Sequence, residues 1–242
     1  MYNTSLLKII FIYKYYMVHI GIIPDGNRRW CKKNNYKLDT LVEHWTNLVI
    51  NILTRIVQNK FKYLKCINEV SLYVCSIDNI NRDDNTKLLI YELLRNLFKL
   101  ANNPELHFSE NIISNLTVLL KDLNLNIIGD LNILPDDIQS IIKDLNNKCT
   151  GNKYTLNLAL AYDYNKDIMD FGRDELINYT RKQTDIDIVF RSGGEQRISG
   201  FFPTKILYSE LFFMKKLWPD VTLEDLNNIV KNFYKRNRRF GK

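Results

Sequence analysis

Short apolar runs alternate along the chain with longer segments in which apolar residues recur every three or four positions. Val18 to Ile23 (VHIGII), Val70 to Ser76 (VSLYVCS), Leu125 to Ile128, Tyr154 to Ala161 (YTLNLALA) and Ile186 to Phe190 predict buried strands. Leu41 to Val57, Thr86 to Leu100, Ile112 to Leu123, Pro135 to Asn147 and Leu223 to Tyr234 carry helical spacing, with polar residues filling the remaining positions. Pro24-Asp25-Gly26 ends the first run in a sharp turn, and Asn27 is expected to cap the helix that follows. The alternation predicts an α/β fold: a mainly parallel central sheet flanked by helices. No repeat, long linker or low-complexity tract divides it, so one domain over residues 17–242 is expected. Ligands of such sheets bind at the carboxyl ends of the strands. The two most unusual polar clusters, Asp25 to Arg29 and Arg191 to Ser199, each follow a predicted strand and so should face the same edge.

Composition narrows the picture only partly. With 242 residues, 45% hydrophobic and 25% charged, the chain is a folded globular protein, and extensive disorder is excluded. Thirty-four Lys and Arg against 27 Asp and Glu leave +7, which favours an anionic partner: nucleic acid, a lipid headgroup or a phosphorylated small molecule. Charge alone does not choose among these. Cys31, Cys66, Cys75 and Cys149 are scattered, with no CxxC pair and no zinc-like histidine spacing, which implies a reducing, cytoplasmic compartment. Leu6 to Val18 is apolar, but Lys8 and Lys14 interrupt it, and it is too short for a membrane span and lacks a cleavage site. Residues 1–16 are therefore read as an N-terminal extension, either surface-seeking or docked.

Asp25-Gly26-Asn27-Arg28-Arg29-Trp30 joins a carboxylate, a glycine and two guanidiniums at a helix start. Helix N–H groups favour a phosphate there, Arg29 can grip it bidentately, and Asp25 can hold Mg²⁺ against it. The competing reading is a plain turn with solvated arginines. In the second cluster, a Gly193-Gly194 pair is flanked by Arg191 and Arg197, with hydroxyls on Ser192 and Ser199 that could complete a second phosphate cradle. Its competing reading is a surface ion pair with Glu195.

HIGIIPDGNRRW, from His19, and DIVFRSGGEQRISGF, from Asp187, resemble the first and last signature regions of the cis-prenyltransferases, the undecaprenyl and dehydrodolichyl diphosphate synthase family. SLYVCSIDNINR (Ser71 to Arg82), LNIIGD (Leu125 to Asp130), LNLALAYD (Leu156 to Asp163), YSELFFMKKLWPD (Tyr208 to Asp220) and RRFG (Arg238 to Gly241) resemble further family segments, in order. The resemblance implies Mg²⁺-dependent condensation of isopentenyl diphosphate with an allylic diphosphate, such as farnesyl diphosphate, to a Z-polyprenyl diphosphate. It implies that Asp25 is the catalytic Mg²⁺ ligand, that Asn79 orients it or assists proton removal, and that His44 lies near the leaving diphosphate. Gly26, Asn27, Arg28, Arg29, Trp30 and Ser76 would hold the allylic diphosphate. Arg191, Arg197 and Ser199 would hold that of isopentenyl diphosphate. Glu210 is expected to help with the metal or the second substrate, within the chain or across a homodimer. The tail, Arg239 and Gly241, would reach the partner's diphosphate site. A turn with a capped helix start remains an alternative for Ser76 and Asn79.

Several positions depart from the family pattern. Arg28 stands where many bacterial members have glycine; Cys75, Ile77 and Ile80 replace aromatic and polar residues; Lys37 is the nearest substitute for a missing arginine; Thr204 and Lys205 replace Trp-Gln. Leu88, Leu89, Leu93, Leu97, Leu119 and Leu120 are expected either to wall an apolar product tunnel or to pack as core. Two other classes compete with the enzyme. A non-catalytic scaffold subunit of the same fold would lack the aspartate of the first cradle. A nucleic-acid binder would spread its basic residues along one face, whereas here they concentrate in two loops, so no nucleic-acid partner is expected. Release of an apolar product leaves room for peripheral contact with a membrane.

Overall fold

The computed structural model of the chain describes residues 16–37, 61–81, 86–102, 120–165 and 184–239. The predicted helix Leu41 to Val57, most of Ile112 to Leu123, His44 and Gly241 lie outside the described residues, as do Leu119, the Leu97 side chain and most of the N-terminal extension. Among the described residues six strands form one sheet: β1 (Val18–Ile23), β2 (Ile67–Tyr73), β3 (Leu123–Ile128), β4 (Tyr154–Ala159), β5 (Ile188–Arg191) and β6 (Glu210–Phe213). Their order is β3-β4-β2-β1-β5-β6, and every pairing is parallel. Each residue of β1 and β5 is buried. Unbroken apolar runs of this kind belong to central strands covered on both faces. Among the described residues the six strands pair only in parallel with one another, as the mainly parallel sheet read from the sequence expects.

The described helices are α1 (Asn27–Asn34), α2 (Ile77–Asn81), α3 (Thr86–Asn102), α4 (Asp136–Lys148) and α5 (Leu223–Phe233). Asn27 does not cap α1. Gly26 holds the capping position at φ +101°, and Asn27 is the first helical residue, its side-chain amide donating to the Pro24 carbonyl at 2.9 Å. Only glycine adopts such a φ cheaply, so the turn chemistry displaces the cap by one residue. Two strand ends also move. β2 stops at Tyr73 because the Val74 and Cys75 amides turn to the Ala159 carbonyl, and β4 stops at Ala159, two residues before Ala161 enters the left-handed region at φ +50°. The helix expected to reach Leu123 ends by Asp122, since Leu123 pairs with Tyr154 in the sheet.

The largest core cluster joins one face of the sheet to α5 and a short turn at Trp218–Asp220. Ile20, Ile188 and Phe190 meet Trp218, Val230 and Phe233 there, all buried. Each fully buried large side chain contributes about 1.5–3 kcal/mol relative to exposure. A second cluster seals α3 to α4 through Ile90, Tyr91 and Leu94 against Ile138 and Ile142. The opposite sheet face carries Phe201, Phe202, Val189 and Tyr162. The leucines divide. Leu93 is core, Leu120 packs against it, and Leu88 is 53% exposed.

Beside the apolar clusters runs a polar row across four strands. His19 Nε2 lies 2.8 Å from Ser71 Oγ, Asn157 donates to Ser71 and Glu69, and Asn126 donates to Asn157 at 2.9 Å. Thr184 closes the row on Glu69 and His19 Nδ1. Buried polar groups persist because each finds a partner.

Candidate active site

Because β1 and β5 are parallel neighbours, the turn after Ile23 and the loop after Arg191 emerge side by side. Arginines cross between them. Asp25 Oδ2 accepts from Arg191 Nη2 at 2.9 Å and Oδ1 from Arg29 Nη2 at 3.1 Å. Arg191 Nη1 also donates to Ser199 Oγ at 2.8 Å and to the Arg197 carbonyl at 2.5 Å, while Arg29 Nη1 donates to the Gly193 carbonyl at 2.8 Å. Gly193 has φ +83°, and a Cβ there would meet Arg29 Nη2 at 2.8 Å and the Asp25 carbonyl at 3.0 Å. Only glycine lets the loop close this tightly over the acid.

Asp25, Arg28, Arg29, Ser76, Asn79, Arg191, Arg197 and Ser199 all line one cleft of about 890 Å³. Eight residues singled out in the sequence therefore converge from the carboxyl ends of β1, β2 and β5. Gly26, Asn27 and Trp30 are not among its lining residues. Gly26 abuts Leu217, and Trp30 donates to Asp220 Oδ1 at 2.7 Å and stacks on Tyr36, so these residues shape the turn. Ser76 and Asn79 cap each other: Asn79 Oδ1 accepts from the Ser76 amide and hydroxyl, and Ser76 Oγ accepts from the Asn79 amide. The turn reading thus holds at residues that also face the cleft.

Burial would raise the Asp25 pKa, but hydrogen bonds and charge from Arg191, then Arg29, outweigh it and hold the carboxyl below its usual 3.8. Asp25 is ionised at neutral pH. Burial pushes the Cys75 thiol up to about 12, so this cleft-lining cysteine is no nucleophile. Among the described residues no group of three or more His, Cys, Asp or Glu could form a protein cage for a metal. One ionised carboxylate amid guanidiniums instead suits a hard cation that arrives with phosphate oxygens and keeps water, which is how Mg²⁺ is usually held.

Glu210 does not join Asp25 within the chain. Parallel pairing sets it opposite Ile188, at the amino end of the sheet, where Arg236 Nη1 donates to it at 2.5 Å. The tail leaves from that same end: Arg238 donates to Asp187 Oδ1 and the Tyr16 hydroxyl, both at 2.8 Å, and the next residue, Arg239, is exposed.

Two contributors were missed or misread. Tyr73, at the carboxyl end of β2, lines the cleft and donates to the Ser199 carbonyl at 3.2 Å; the strand-end rule that selected Asp25 would have found it. Ser192, read as a phosphate-facing hydroxyl, is fully buried and bonds the Asp25 main chain. No helix among the described residues is long and apolar enough to cross a membrane.

Comparison with known proteins matches this arrangement to a family. The model of the family described as "Putative undecaprenyl diphosphate synthase" matches residues 23–179 and 173–241. The ditrans,polycis-undecaprenyl-diphosphate synthase ((2E,6E)-farnesyl-diphosphate specific) of Buchnera aphidicola subsp. Schizaphis graminum is 32% identical over 263 residues, covering 100% of this chain and 98% of that protein. The tritrans,polycis-undecaprenyl-diphosphate synthase (geranylgeranyl-diphosphate specific) of Aeropyrum pernix is 33% identical over 234 residues, covering 92% and 97%. The fold is shared with lavandulyl diphosphate synthase from Lavandula x intermedia, solved with dimethylallyl diphosphate, at a TM-score of 0.72 and 23% identity over 93% of this chain and 98% of that one. A parallel sheet whose strand ends gather an acid and four arginines in one cleft, matched over nearly its whole length by such relatives, places the chain in the undecaprenyl diphosphate synthase family of prenyl-transferring enzymes.

Proposed function

We propose that the protein condenses isopentenyl diphosphate with an allylic diphosphate such as farnesyl diphosphate, in a Mg²⁺-dependent reaction that adds Z-configured isoprene units. The observation carrying this reading is the ionised Asp25 bracketed by Arg29 and Arg191 from two adjacent strand ends. Arg28 and Arg29, at the start of α1, face the allylic diphosphate; Arg191, Arg197 and Ser199 face that of isopentenyl diphosphate. Asp25 would hold Mg²⁺, which when bound would supply positive charge against the departing diphosphate. The guanidiniums add fixed positive charge that needs no rearrangement as the allylic carbon–oxygen bond breaks. Two cradles in one cleft hold the reacting carbons together, a major source of rate. Asn79, a carboxamide and not a base, holds Ser76 beside the cleft.

The active unit is a homodimer. Leu207, Tyr208, Leu211 and Phe213, on β6 and the turn before it, are 79%, 64%, 40% and 37% exposed, an apolar surface that a second copy would cover. The tail starts at the end of the sheet opposite Asp25, so Arg239 and Gly241 serve a partner's cleft, and any metal role of Glu210 is likewise across the dimer.

Incubating purified protein with Mg²⁺, farnesyl diphosphate and labelled isopentenyl diphosphate is expected to give an extractable polyprenyl diphosphate whose chromatography reports chain length. Asp25→Ala is expected to abolish it, and chelation of the metal to stop the parent enzyme. Absence of product from the parent, or full turnover by Asp25→Ala, would defeat the reading.

A further inference from the structure

We propose that Ser192 is a positioning residue for Asp25 rather than a ligand of either diphosphate, an inference that rests on the reading of Asp25 above. Ser192 sits directly after β5, is fully buried and is not among the cleft-lining residues. Its one hydroxyl serves both main-chain groups of a residue 167 positions away. Asp25 N–H donates to Ser192 Oγ at 3.0 Å, and Ser192 Oγ–H donates to the Asp25 carbonyl at 2.9 Å. A hydroxyl carries a single proton, and here that proton is committed to Asp25.

The hydroxyl completes a set of shared bonds at the exit of β1. The Asp25 amide also faces the Ile23 carbonyl at 3.0 Å, its carbonyl also accepts from the Trp218 amide at 3.0 Å, and the Ser192 amide itself reaches the Ile23 carbonyl at 3.3 Å. Ser192 is the part of this set that ties the first cradle to the second through a side chain. Arg191, the preceding residue, grips the Asp25 carboxylate. Residues 191 and 192 therefore hold the acid at both ends, one by its side chain and the other by its backbone. Without the hydroxyl the Asp25 peptide groups keep one partner each, and the side-chain tie between the Asp25 backbone and the loop after β5 is lost.

A displacement of about 1 Å at a reacting centre can cost roughly 10²-fold in rate. Ser192→Ala is expected to lower kcat about 10- to 100-fold while changing KM for isopentenyl diphosphate by less than about threefold, because Arg191, Arg197 and Ser199 are kept. Ser192→Thr, which retains the hydroxyl, restores kcat. In an Asp25→Asn background, Ser192→Ala adds no further loss. A phosphate ligand would give the opposite split, a raised KM with kcat preserved, and a purely structural serine would lower the melting temperature with kinetics intact; either result overturns the proposal. Amide hydrogen exchange at Asp25 supplies a readout independent of turnover and is expected to quicken about five- to tenfold in Ser192→Ala. Were the parent inactive, the functional reading would fall on its own, and an unchanged exchange rate would separately sink the role of Ser192.

Discussion

At the scale of single residues, the cleft depends on side chains that satisfy each other before any substrate arrives. Arg191 is buried and spreads one guanidinium over Asp25, Ser199 and the Arg197 carbonyl. A lysine ammonium cannot reproduce that planar fork. Arg191→Lys is expected to weaken isopentenyl diphosphate handling by about 1.5–3 kcal/mol, the usual worth of a hydrogen bond to a charged group, seen as a rise in KM. Arg197 is more exposed, paired with Glu195 at 2.5 Å, and its loss should cost less than that of Arg191. His19 makes a prediction about stability. Burial holds its pKa below the usual 6.5 against the opposing pull of Glu69 and Asp187, so the folded protein keeps it neutral. The unfolded chain takes up that proton first as pH falls, so stability drops from about pH 6.5 down to the lowered folded value. Urea unfolding at pH 7.5 and 5.5 checks this. The loss on acidification should be smaller in His19→Gln than in the parent.

Among the elements, α5 shows how local chemistry fixes an end. Thr222 Oγ1 accepts from the Asp225 amide, and the Asp225 carboxylate accepts from the Thr222 amide, a reciprocal cap on the helix that buries Leu226, Ile229, Val230 and Phe233. Thr222→Ala is expected to cost about 1 kcal/mol in urea unfolding. Burial would raise the Asp225 pKa, but bonds from Lys216 and Thr222 bring it below the usual 3.8. The contribution of this cap is therefore complete above about pH 3.8 and fades as pH falls through the lowered value. β6 is the element the hydrophobic pattern did not reveal. Its four residues, half-buried and exposed in turn, are too few to show an alternation, and only the ladder with β5 makes them a strand.

For the whole molecule, the parallel sheet separates two ends by function. The carboxyl end gathers Asp25, Ser76, Asn79 and Arg191, and the amino end gathers Asp187, Glu210, Arg236 and Arg238. A homodimer formed over the apolar face of β6 is the assembly that would bring a tail from one end to a cleft at the other. The proposed homodimer predicts that the double substitution Leu211→Asp with Phe213→Asp sediments as a monomer in sedimentation velocity and turns over more slowly. A parent that sediments as a monomer while fully active would remove the need for a partner.

The order of apolar runs by itself determined the α/β class and five of the six strands, because burial on both sheet faces demands continuous apolar segments. It also placed Asp25 and Arg191 on one edge of the sheet, because parallel strands deliver their following loops to one edge, whereas the β1–β5 pairing made them neighbours. What tertiary structure decided is which polar groups remain for a ligand. Ser192 and Ser199 are both hydroxyls in the same loop, yet one is sealed against the Asp25 backbone and the other faces the cleft. Glu210 and Asp25 are both carboxylates near signature segments, yet strand register carries them to opposite ends. Spacing along a chain records which groups exist, whereas hydrogen-bond partners and register, set by residues that only folding brings together, decide which of them a substrate can meet.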